Sequence, residues 1–430
     1  MALNFNLHSL VPINLNDNKY NNFNSFNPVL DRTYNKIKII IKNILNGINI
    51  HSFIERKINK KYNLDTIVSI VKTIDINSIE NNELKYFIIN LRNNKVKNLI
   101  KSLDKFNTDI YNLIKLHPKI LEINDYYGAN VVSRFISFEI QNEIYHKLLF
   151  KTTINVSYKN YKIKLNIYSE KFCDRIQLSI IILKIFTMFE LHQKNINNFN
   201  INIFLSKKKK KLNNFSIGPE SVNSGATTFY FSGRKNIIIF REEELEKVLI
   251  HEMIHALELD KYIWDNEHNL KEYFICHFDL PENIDVNLAE SYTECLALIY
   301  HCLINSAIHN LDYYKILKTE YKFNIIQCNK ILSHFKYSPD YKFFDKSQCI
   351  QNKQYLWNEK TSVFSYFIIK TILFSNVEHF LKHFINNQFF TKNIIEYLIN
   401  NFDKTINTNI FRHNTGNTLR MTGIDYNLYL

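Results

Sequence analysis

Glycine and proline are scarce in this 430-residue chain, at 7 and 6 residues, and tryptophan occurs only twice. The matching surplus of Asn, Ile and Lys is the bias an AT-rich genome leaves, and it carries no chemistry of its own. The 6 cysteines (Cys173, Cys276, Cys295, Cys302, Cys328 and Cys349) form no CxxC pair. That argues against a secreted disulfide scaffold and for a reducing, cytoplasmic compartment. Residues 1–30 contain no apolar signal core. The most apolar stretches, 179–186 and 363–374, are too short or broken by Lys184 and Lys370, so no membrane span is expected. There is no internal repeat and no nucleic-acid-binding module. The formal net charge of +13 follows from lysine-rich codon usage, and nucleic acid is not expected as a partner.

Apolar material is plentiful. With 46% hydrophobic and 14% aromatic residues, the chain can bury a large core and form two or three structural units. Residues 1–30 read as a flexible Asn-rich lead. Residues 31–125 read as a helical region, from apolar spacings such as Ile37-Ile40-Ile41-Ile44 and Ile67-Ile70-Val71-Ile74. The stretch 126–430 reads as one further domain. Segments 153–158 and 161–168 alternate around Lys159-Asn160 as a hairpin, 177–191 reads as a buried helix and 201–205 as a short strand. The five lysines at 207–211 read as a solvated loop. Segments 227–231 and 236–240 are strand-like, and acidic residues at 242–244 suit the first turn of the helix that follows. A second helix is expected over about 286–304, and mainly helix from about 313 onward.

The informative helix carries His251-Glu252-Met253-Ile254-His255. On a helix, histidines at i and i+4 share a face and can reach one metal ion, while the glutamate after the first histidine lies near the ion's open position. Val248, Leu249, Ile250, Ile254, Ala256 and Leu257 give the motif a buried setting. A catalytic zinc needs a third protein ligand. Glu258 and Lys261 stand where a metzincin would have glycine and histidine, which removes that class. Glu290 and Glu294, four apart on the next apolar helix, supply the alternative. Glu290 can bind the metal while Glu294 accepts from a ligand histidine, or the two roles are exchanged. His268, His277, His301 and His309 read as surface or packing residues, and Cys295 and Cys302 as buried small ones.

HExxH followed by Glu-x-x-x-acid on a later helix resembles the gluzincin metallopeptidases, the thermolysin-like clan. The resemblance implies His251, His255 and Glu290 as zinc ligands, Glu252 as general base and Glu294 as support for a ligand histidine. Ala289 departs from the asparagine of that clan, and its transition-state-stabilising His or Tyr has no assignable counterpart. The segments 222–227, 238–243, 247–250, 289–294, 359–364 and 419–422 together resemble an uncharacterised metallopeptidase-like family of giant and other large DNA viruses.

The expected protein is therefore α+β. A small mixed sheet packs on the HExxH helix, between a helical N-terminal region and a mostly helical C-terminal half. The expected activity is zinc-dependent hydrolysis of a protein or peptide substrate. The expected location is cytoplasmic, in the host cytoplasm or the virion if viral. Segments 227–231 and 236–240 are the candidate peptide-binding edge. Arg420 and, secondarily, Tyr366 are candidates for substrate or oxyanion contact. The rival expectation is a non-catalytic zinc-containing structural or virion-associated protein.

Overall fold

The computed structural model describes residues 28–47, 55–58 and, with short interruptions, 136–335, 357–385 and 417–423, besides isolated positions between 397 and 405. The Asn-rich lead up to residue 27, the expected helix around Ile67–Ile74, His268 and His277 lie outside the described residues.

The described strands form one six-stranded sheet. β2 (Phe150–Tyr158) and β3 (Tyr161–Ser169) make the expected hairpin, with Lys159 at φ 51° in its turn. A buried helix, Arg175–His192, crosses over to β4 (Phe199–Phe204), which pairs parallel with β3. β5 (Gly225–Phe229) and β6 (Lys235–Ile239) pair antiparallel, and β6 lies parallel to β4. A sixth strand, β1 (Glu55–Ile58), adds to β2, so the order is β1-β2-β3-β4-β6-β5. The residues 55–58 thus form a strand inside a region expected to be helical. Hydrogen bonding to the open side of β2 overrides local spacing there. Of the two segments expected as the peptide-binding edge, only Gly225–Phe229 lies at an edge, because β6 is paired on both sides.

Alternation along the strands builds two apolar faces. Leu165, Ile167, Ile201, Ile203, Ile237 and Ile239 point into the main core. Tyr168, Phe204, Ile238 and Phe240 form a smaller cluster on the other face with Ile140 and Ile144. Polar side chains on that face are paired across strands. Asn166 donates to Asn202 (3.0 Å), which donates to Asn236 (2.7 Å).

We number the helices α1 (Pro28–Gly47), α2 (Phe138–Lys147), α3 (Arg175–His192), α4 (Leu245–Ala256), α5 (Lys261–Asn266), α6 (Leu288–His309), α7 (Tyr313–His334), α8 (Lys370–Phe374) and α9 (Val377–Ile385). A π-helical turn, Phe364–Ile369, leads into α8. The fold is α+β, with the mixed sheet backing α4 and helices filling the C-terminal half. Leu30, Ile37, Ile40, Ile41 and Ile44 of α1 belong to the same core as α3, α4 and α6. No described helix is long and apolar enough to cross a membrane.

Lys184 interrupts the apolar run of α3 because it pairs with Glu246 of α4, both buried. Burial pulls the lysine below its ordinary pKa, and Glu246 partly offsets this. Removing one member strands the other without a counter-charge, which costs about 3–5 kcal/mol. Lys184→Met should lower the urea midpoint accordingly, and adding Glu246→Leu should recover most of the loss. A single variant as stable as wild type would show that the pair does not hold α3 to α4.

Candidate metal centre

The segment between β6 and α4 is charged, and its buried charges at Arg241, Glu243 and Glu244 are partnered. Arg241 donates from Nε to Asn223 O and from Nη1 to Lys208 O, each at 2.9 Å, and from Nη2 to Glu220 O. Glu244, the residue before α4, has φ 61°, a left-handed conformation that a non-glycine residue holds only when its surroundings enforce it. Its carboxylate accepts from the backbone N–H groups of Met421 and Thr422, both at 2.6 Å, and forms an ion pair with Lys210 at 2.7 Å. The lysine run is therefore not simply a solvated loop. Lys207 and Lys208 stay exposed against Glu170 and Glu139, while Lys210 enters the core.

α4 packs on α6, and both are buried on almost every face. Asn287 caps α6 by accepting from the Glu290 N–H at 2.8 Å, the usual role of a short polar side chain at this position. Glu290 thus sits in the first turn and Glu294 one turn later. Glu294 pairs with Lys247 through Oε2, and its Oε1 lies 2.9 Å from His251 Nδ1. Burial alone would raise the Glu294 pKa, but Lys247 and His251 outweigh it and hold the carboxyl well below its ordinary range.

His255 is oriented by a carboxylate the sequence reading did not single out. α4 ends in a Schellman turn: Leu259 N donates to Ile254 O (3.0 Å) and Glu258 N to His255 O (2.8 Å). Glu258 takes the left-handed position at φ 54°, where glycine is usual. Lys235 secures it, donating to Glu258 Oε1 at 2.6 Å and to Ala256 O at 2.7 Å. The reversal returns Asp260 to the helix it has just left, 2.5 Å from His255 Nδ1. Trp264 Nε1 donates to the same Asp260 oxygen at 2.7 Å. The available signal was an acidic residue five positions after the motif, just beyond a helix end.

With each Nδ1 turned to a carboxylate, both Nε2 atoms converge. They lie 3.0 Å apart, and Glu290 stands 3.3 Å from His251 Nε2 and 3.6 Å from His255 Nε2. Ligand atoms about 2.0–2.2 Å from a tetrahedral zinc are about 3.3–3.6 Å apart; both Glu290 distances fall in that range, and the two Nε2 atoms stand slightly closer than it. Glu290 Oε2 is buried and makes no hydrogen bond of good geometry. Burial pulls both imidazoles toward the neutral form, yet the surrounding carboxylates raise them, His255 well above its ordinary value. The carboxylates thus favour positive charge between these side chains, and His251, His255 and Glu290 are placed so that they could hold a divalent cation.

Glu252 points into the same cleft, of about 500 Å³, which also includes Gly225, Ala226, Thr227, Phe229, Trp264 and Tyr366. Thr227 Oγ1 donates to Glu252 Oε2 at 2.8 Å, and burial raises the Glu252 pKa. A Cβ on Gly225 would lie 2.6 Å from Glu252 Oε1, so only glycine leaves this carboxylate its place. Tyr366 lies on the π-helical turn. Burial and the charges of Glu290, Glu294 and Glu252 raise its pKa far above the usual value, so it stays a neutral O–H donor. Arg420 is not among the residues lining the cleft; Met421 is. The charge of Arg420 acts on Glu244 instead, at the start of α4. His301 is buried within bonding distance of Asn305, and Cys295 and Cys302 are free and buried, as packing residues would be.

Removing a partner of a ligand histidine typically weakens metal binding 10–100-fold, about 1.4–2.7 kcal/mol. Asp260→Ala should therefore raise the zinc dissociation constant by about that factor in a competitive chelator titration, with helix content retained. Unchanged affinity would remove Asp260 from the centre.

No family model and no solved structure matches the chain. A stretch of 171 residues is 26% identical to an uncharacterised protein of Acanthamoeba polyphaga mimivirus, covering 37% of this chain and 40% of that protein. The chain therefore aligns with less than half the length of this relative, and the similarity supports a kinship with giant-virus proteins without naming an activity.

Proposed function

We propose that the chain is a zinc-dependent peptidase of gluzincin type. The observation that carries this is the position of β5. Among the described residues no strand pairs with its outer edge, and its residues line the same cleft as His251, Glu252, His255 and Glu290. A free strand edge offers backbone N–H and C=O groups to an extended peptide. A peptide paired there would run past the three ligand side chains.

Two imidazoles and one carboxylate suit zinc and leave a position open. Zinc held there would acidify a water molecule and polarise the scissile carbonyl. The remaining work falls to the chain's own residues. Glu252 accepts the water's proton and delivers it to the leaving amine. Thr227 holds Glu252 in place from β5, the strand that would also hold the substrate. Tyr366 donates its O–H toward the oxygen that gains negative charge. A purely structural zinc site would have no use for a buried carboxylate beside its open position. The mimivirus similarity supports a viral origin, with the enzyme acting in the host cytoplasm or the virion.

The test is cleavage of a peptide library by the zinc-loaded protein, with and without chelator. Glu252→Gln should keep the zinc and lower turnover by about 10²–10⁴-fold. Gly225→Ala, which displaces Glu252, should cost about 10²-fold with zinc also kept. Cleavage by Glu252→Gln at the wild-type rate, or no chelator-sensitive cleavage at all, contradicts the proposal.

A further inference from the structure

Few large apolar side chains are exposed among the described residues: Ile39, Leu45, Phe229, Tyr262 and Trp264. Two of them line the cleft, Phe229 with 57% and Trp264 with 48% of its surface open to water. Both belong to the end of the cleft where α4 stops. The Trp264 ring lies 6.5 Å from that of His255, centre to centre. Phe229 is placed there by Lys235, its neighbour in the β5–β6 ladder. The same ammonium group sits 5.5 Å from the Phe229 ring centre and bonds to Ala256 O and Glu258 at the end of α4.

These rings are held, not loose. Trp264 is fixed by its N–H on Asp260, and Phe229 by the lysine whose head is tied down twice. Rigid aromatic faces left half in water at a cleft mouth gain from being covered by a third apolar group. Of the charged side chains beside it, Glu258 is paired with Lys235, and Lys261 lies 3.9 Å from the same carboxylate.

We propose that Phe229 and Trp264 form a subsite for one large apolar side chain of the substrate, aromatic by preference, beside His255. This rests on the peptidase reading above. Trp264 would then act in two ways, as a wall of the subsite and, through Asp260, as a positioning residue for a metal ligand. Because Trp357 is buried and is the only other tryptophan, an occupant of the subsite would report itself through Trp264 emission.

The experiment compares two metal-chelating hydroxamates, one carrying a benzyl and the other a methyl side chain. Their binding to the zinc-loaded protein is followed by calorimetry and tryptophan fluorescence. The benzyl compound should bind at least about tenfold more tightly and shift the emission to the blue. Phe229→Ala should abolish that preference with zinc content unchanged. Trp264→Ala should abolish it and also weaken zinc binding. Trp264→Phe should keep the preference, because the aromatic face remains, and weaken zinc binding, because the N–H is gone. Equal affinity for the two compounds in the zinc-loaded wild type overturns the subsite and leaves the metal centre standing. Failure of the protein to bind zinc, or of either hydroxamate to bind, removes the metal-centre reading and the subsite with it.

Discussion

A buried and a half-buried carboxylate on one helix face, Glu294 and Glu290, need counter-charge, and in this fold α4 provides it in register. Lys247 and His251 are four apart on α4, as Glu290 and Glu294 are on α6. Glu294 reaches both Lys247 and His251. That one carboxylate sets the axial position and the rotation of α6 against α4, because a shift of one residue would turn Glu294 by about 100° and bury it unpaired. Once Glu294 is placed, Glu290 one turn earlier has to fall beside the two Nε2 atoms. The proposed ligand set therefore depends on a structural ion pair, Lys247–Glu294, that is not part of it.

The rest of the fold secures the two ends of α4. At the N-terminal end, Glu244 is held by Lys210 and by the segment around Met421 and Thr422. That segment is itself anchored by Glu320, which receives Thr422 Oγ1 and the Gly423 N–H. At the C-terminal end, the Schellman turn returns Asp260 to His255, and Lys235 ties the turn to β6. The sheet contributes β5, which places Thr227 and the space above Gly225 against Glu252. The centre is thus held from three directions, by α6, by the turn after α4 and by the edge strand.

The motif was legible because helical spacing fixes its geometry. His251, Glu252 and His255 could share one face only on a helix, and the acid pair on the next helix was visible by the same rule. The hairpin, the buried helix before β4 and the two strands ahead of α4 followed from alternation and apolar content. Asp260 was not legible, because it depends on a left-handed Glu258 where spacing alone suggests only a loop. Lys210 was hidden for a related reason, because a charge run looks solvated until a distant acid, here Glu244, is brought to it. Arg420 stood out in the sequence, but its charge acts on Glu244 and not in the cleft. The strand Glu55–Ile58 depends on a partner almost a hundred residues away, which no local pattern announces.

The central claim is that His251, His255 and Glu290 form one zinc site with an open position. X-ray absorption at the zinc edge of the metal-loaded protein addresses it most directly. The account predicts one zinc per chain, a first shell of nitrogen and oxygen with two imidazoles and no sulfur, and loss of one imidazole contribution in His255→Ala. Sulfur in the first shell, or a spectrum unchanged by His255→Ala, would contradict it.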